Sequence, residues 1–170
     1  MLPLYGLAVV EAKEGNPAAF VAATIVVAQA TMVLASLVAM RLAERRGLWF
    51  VILVSLLALP VRGLVAACVI KGWGVFPVQI LDGVGAGLQS VAVPALVVRI
   101  LSGTGRVNAG QGAVLTAQGV GAALSPAVGG WVAQWHGYAL SFVMLSGFAL
   151  GAVLIWTVFA STLRTPYRTR

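Results

Sequence analysis

The sequence predicts an all-α protein, a polytopic bundle of helices that cross a membrane. Of its 170 residues, 61% are hydrophobic and only 9% charged, where a soluble domain carries roughly 25% charged residues. Its mean hydropathy is +1.01. The apolar residues gather into runs of about 20 or more, each long enough to cross a hydrocarbon layer about 30 Å thick as a helix. With 11 basic and 4 acidic side chains the chain cannot build a polar shell, so its surface must face lipid.

The whole chain, 1–170, reads as one transmembrane domain. A first span is expected at about 17–42, with Asn16 as helix cap and Pro17 at the first helical position, where a missing N–H costs nothing. A second follows at about 48–70, after the break at Gly47, and a third at about 75–101, after Gly72. Gly103 separates that span from a fourth at about 107–134, and Gly137 opens a fifth at about 137–162. Short connections make successive helices antiparallel neighbours. The opening MLPLYGLAVV, residues 1–10, is too short to span and lacks the basic start of a cleavable signal. It reads as the outer end of a truncated span.

Charge orients the bundle, because Lys and Arg accumulate on the cytoplasmic side. One set of ends holds Arg41, Arg45, Arg46, Arg99, Arg106, Arg164, Arg168 and Arg170, and the other holds Lys13 and Lys71. The tail 163–170 is therefore expected in the cytoplasm, with the protein in the plasma (inner) membrane. Topology accounts for the net charge of +7, and the bases form no amphipathic or aromatic-interleaved patch, so nucleic acid is not an expected partner.

Chemistry of the enzymatic kind has no residues to work with. Cys68 and His136 are each single, and no pair of acids offers hydrolytic, redox or metal chemistry. The glycines at 83–87 and 119–121 do not complete a dinucleotide fingerprint and lie in apolar runs, and the stretch 105–111 lacks a phosphate-binding lysine. No catalytic residue, metal site or cofactor is expected.

Two features within the spans carry more information. Gly112, Gly121, Ser125, Pro126, Gly129 and Gly130 form the pattern G-x8-G-x3-S-P-x2-G-G, with Gly121, Ser125 and Gly129 four apart on one helix face. Between helices in lipid no hydrophobic force acts, so close association relies on backbone contact, which small residues permit. Pro126 cannot donate to the carbonyl of Ala122 and should bend the helix. The second feature is a pair of charges, Arg62 and Asp82, at matching depths from the outer ends of adjacent spans. They are expected to pair, either as a self-neutralising contact that fixes register or as a protonation site, since Asp82 is the one carboxylate within the spans.

The glycine-proline pattern resembles motif C of the major facilitator superfamily, the signature of its drug and proton antiporters, with Ser125 where that family usually has glycine. Two more stretches match in order. MRLAERRG at 40–47 looks like motif A, with Glu44, Arg45 and Gly47 in place, Met40 replacing its leading glycine and Leu48-Trp49 its closing basic pair. QILDGVGAG at 79–87 looks like motif B, with Gln79 where its arginine stands.

The resemblance covers essentially the whole chain and implies the C-terminal half of a twelve-span transporter, from the end of the seventh span through the twelfth. It implies alternating-access movement of a small-molecule substrate, with protons as a coupling partner, efflux as the favoured direction, and the N-terminal half as a partner beside the lipid bilayer. It also places Gln79, Asp82 and Gln89 on a helix beside the substrate pathway, with Gln29 and Gln118 next in weight and Arg62 as the partner of Asp82. Another class of reading is a membrane-embedded assembly module that transports nothing. A small oligomeric exporter would instead need rings of identical polar faces, which dispersed single glutamines do not supply.

Overall fold

Helix α1, Pro17–Arg46, begins on its proline and runs about one turn past the apolar stretch, because Ala43, Glu44, Arg45 and Arg46 are good helix formers and the charged ones need no burial. The computed structural model describes residues 17–68 and 75–163, with side chains at 22–68 and 75–159. The short run 1–10, Asn16, Lys13, the connection holding Lys71, Gly72 and Trp73, and the tail from Arg164 onward lie outside the described residues.

Gly47 ends α1 with φ 84°, a left-handed backbone that costs glycine little, and donates its N–H to the Ala43 carbonyl at 2.9 Å. The chain reverses there into α2, Leu48–Cys68, and Ala39 packs beside Val51 and Ile52. Helix α3 is Val75–Leu101 and α4 is Val107–Leu163.

At 57 residues, α4 would be roughly 85 Å long if straight, far more than a bilayer's thickness. It is two arms, 107–136 and 138–163, parted at Gly137, whose φ 83° and ψ 164° are not helical. Ser141 donates to the carbonyl of Gly129 at 2.8 Å, twelve residues back, which would be about 18 Å away along a continuous helix. The second arm therefore turns back along the bundle. The Trp156 indole donates to the Trp49 carbonyl at 3.4 Å, and Phe142 packs with Ala66 and Val75.

Helix α3 is the centre, lying against both α1 and α2, and α2 in turn carries the second arm of α4. The α1–α3 contact is a backbone contact. A Cβ on Gly83 would lie 2.5 Å from the Ala28 carbonyl oxygen, and one on Gly87 would press against the Met32 carbonyl, so the two glycines four apart let the helices touch. Gly85 faces the other way, toward Ser55 and Ala58 of α2.

Large apolar side chains point outward from the bundle, among them Val26, Val33 and Leu34 of α1 and Phe148, Leu154 and Val158 of the second arm. In water this would be untenable; in a bilayer it is the expected surface. Four helices among the described residues are long and apolar enough to span, the last of them with the length of two crossings. The protein is an all-α transmembrane bundle, as its sequence predicts.

Candidate functional site

The first arm of α4 touches the bundle at its two ends and stands off between them. Near its start, Gly110 meets Leu101 and Val97 of α3, and near its end Ala133 joins the apolar cluster of Ala66, Val75, Val78 and Phe142. In the interval lies a cleft of about 720 Å³ between α3 and the arm, floored by Leu59 of α2. That volume is typical of a small-molecule site.

Both walls follow from helical periodicity. On α3 the lining positions Ala86, Gln89, Ser90, Val93 and Val97 recur at three- and four-residue steps, a single stripe. The facing stripe on the arm supplies Gln111, Gln118, Gly121 and Ser125. Pro94 lies in the first stripe, and Pro126 follows Ser125 of the second. Gln89 and Gln118, singled out by sequence, thus meet across one space, joined by Gln111.

Asp82 continues the α3 stripe one turn beyond Ala86, and Arg62 lies one turn beyond Leu59 on α2. An ion pair joins the Arg62 guanidinium to the Asp82 carboxylate at this end of the cleft. The arginine side chain is 14% exposed and the aspartate 41%, so the carboxylate is the more accessible partner. The Arg62 Nε is buried and has no hydrogen-bond partner among the described residues, leaving the cation incompletely satisfied by one carboxylate.

The other expected residues separate from this space. Gln79 is buried at 3% exposure, three residues before Asp82, and does not line the cleft. Gln29 is exposed on α1. Glu44 and Arg45 are exposed at the end of α1, and Gly47 is its reversal point. Within the glycine pattern, Gly112 and Gly130 on one side of the arm and Gly121 on the opposite side have nothing within 4 Å of an added Cβ, so no described helix fills either side there. Gly129 is buried beside Ser141. The tight backbone contact lies instead at Gly83 and Gly87, inside the stretch read as motif B.

No group of three or more metal-ligating side chains occurs among the described residues. With three amides, two hydroxyls and an otherwise aliphatic lining, the cleft can bind and orient a molecule, but its lining holds no general base to activate a serine hydroxyl.

Comparison with known proteins agrees with that reading. The model of the Major Facilitator Superfamily matches residues 4–169. Two curated proteins of Mycobacterium tuberculosis, from strains CDC 1551 and H37Rv and each described as an uncharacterized MFS-type transporter, are 37% identical over 160 residues, covering 93% of this chain. The chain spans 38% of the length of these relatives. No solved structure matches it at a significant level.

Proposed function

Because the chain belongs to the major facilitator superfamily, a class of transporters and not of enzymes, we propose that it moves a small solute across the membrane by alternating access. In this reading its helices act as the C-terminal half of the transporter, and a second set of helices closes the open side of the cleft. The integral membrane protein would lie in the plasma membrane with its C-terminus in the cytoplasm, an orientation supported by Arg41, Arg45, Arg46, Arg99 and Arg106 at one set of helix ends.

The observation that carries the proposal is the cleft itself. A run of amides and hydroxyls inside a membrane helix pair is expensive unless it faces a cavity or a partner. Here those groups line a space of ligand size held open between two helices. It extends from Ala86, near the middle of α3, to Val97, near the arginine-bearing end. Efflux is favoured by the resemblance of residues 112–130 to motif C.

Proton coupling would fall to Asp82. Protonation removes its charge, weakens its hold on Arg62 and frees the end of the cleft to rearrange, a local charge change acting on a packed helix pair. Uptake into inverted vesicles carrying the full-length protein, with and without an imposed pH gradient, tests both parts. Asp82→Asn should abolish the gradient dependence while leaving the protein in the membrane. Unchanged pH dependence removes Asp82 from coupling, and no uptake by the parent protein at any pH returns the chain to the role of a non-transporting assembly module.

A further inference from the structure

The cluster of Ala39, Val51, Ile52, Leu88 and Ala92 lies toward the arginine-bearing end of the bundle, and two charges continue its stripes. On α1 the stripe of Ala39 and Ala43 reaches Arg46 at the next three-residue step, and on α3 the stripe of Leu88, Ala92 and Leu96 reaches Arg99 in the same way. The two helices run parallel, since Gly83 meets Ala28 and Gly87 meets Met32. Arg46 lies 14 residues beyond Met32 and Arg99 lies 12 beyond Gly87, so the two stand within roughly 3 Å of one level.

Among the described residues, neither of these cations has an ion pair. Asp82 holds Arg62 and lies 17 residues from Arg99, roughly 25 Å away along α3. Glu44, two residues before Arg46, falls on the opposite side of α1. The Arg46 guanidinium lies instead over the Phe50 ring, 5.5 Å from its centroid. An aromatic face steadies the plane of the guanidinium without using its N–H donors, which stay available within that plane. Both arginines are exposed, and at the same end the apolar side chains of Met40, Val98 and Ile100 are about half exposed.

We propose that Arg46 and Arg99 together hold the headgroup of an anionic phospholipid, with its phosphodiester shared by the two guanidiniums and its acyl chains along Met40, Val98 and Ile100. Two like charges brought to one place repel, and an anion between them replaces that repulsion with charge-assisted hydrogen bonds. The Arg46 fork, steadied by Phe50, presents parallel N–H groups that match two phosphate oxygens. A zwitterionic lipid brings its own cation among the arginines and is disfavoured. A free phosphate gains the same contacts but lacks the chains that keep a headgroup at this level. The site is independent of what the protein transports.

The test titrates the full-length protein in detergent with dioleoyl phosphatidylglycerol and, separately, with dioleoyl phosphatidylcholine, and counts bound lipids by native mass spectrometry. One phosphatidylglycerol should bind at least about tenfold tighter than phosphatidylcholine. Arg46→Gln and Arg99→Gln change exposed side chains and should each weaken it about fivefold. Arg46→Lys keeps the charge but loses the planar fork and should weaken it about two- to threefold. Arg41→Gln removes the same charge from another face of α1 and should leave affinity within about twofold of the parent. Glycerophosphoglycerol, the headgroup without its chains, should not displace the lipid at about a hundredfold excess. The proposal is overturned if the two lipids bind alike, if Arg46→Gln and Arg99→Gln both bind phosphatidylglycerol like the parent, or if Arg41→Gln costs as much as they do, the mark of diffuse surface charge. Displacement by glycerophosphoglycerol would make this a site for soluble phosphate esters and overturn the lipid. Absence of saturable phosphatidylglycerol binding, the outcome if a carboxylate elsewhere in the full-length protein covers the pair, overturns it as well.

Discussion

On α3, Gly83 and Gly87 are filled by the backbone of α1 and Gly85 faces α2, whereas on the first arm of α4 Gly112, Gly119, Gly121 and Gly130 meet nothing within 4 Å of an added Cβ. Gly83 and Gly87 share one face of α3, whereas on the arm Gly121 lies on the cleft side and Gly112, Gly119 and Gly130 on the opposite side. On α3, the missing side chains are the reason two helices touch; on the arm, they leave a bare face and one wall of a cleft. Small-residue spacing therefore records where close approach is permitted, and the fold decides whether this chain uses the permission itself. The bare ridge supports the proposal that further helices close on it.

Substitutions can break this contrast from either side. The largest effect is expected at Gly87→Ala, where the new methyl must displace the Met32 carbonyl of α1; the α1–α3 pair should lose about 3 kcal/mol, read as a lowered midpoint in detergent unfolding. A variant as stable as the parent would mean that the two helices are not in backbone contact. Next, Gly121→Leu should leave unfolding unchanged but cut transport by the full-length protein at least about tenfold, since the face must close against a partner. Normal transport at equal membrane levels would show that this ridge is no seal. The smallest effect carries the opposite sign: Gly119→Ala should stabilise the first arm by about 0.5–1 kcal/mol, because alanine loses less backbone freedom and meets no neighbour. Destabilisation there would reveal a contact that the open ridge does not have.

Much of the architecture was legible because lipid makes simple demands. Apolar runs bounded by Gly47 and Gly137 mark real reversals, both with left-handed backbone, since a helix must end where the chain turns and glycine turns most cheaply. The Arg62–Asp82 pair followed from depth alone, because two charges at one level within adjacent spans have few other partners. The use of each glycine ridge was not legible. Helical period shows that Gly121, Ser125 and Gly129 share a face, but not that the arm bows away from α3 between Gly110 and Ala133. Nor could it separate Gln89 from Gln79, ten residues apart on one helix: their different bearings around the axis put one in the cleft and bury the other. Gln111 carried no motif, and only the facing wall reveals its place.

The links between helices differ in slack. One residue, Gly47, separates α1 from α2, and one, Gly137, separates the arms of α4, the latter also pinned by the Ser141 clasp on Gly129. Rods coupled so tightly can swivel only together. Between α3 and the first arm the tether is longer, residues 102–106, exposed to solvent. Among the described connections this one is the longest, and it borders the mouth of the cleft, so the first arm of α4 has more freedom to shift against α3 than the arms have against each other.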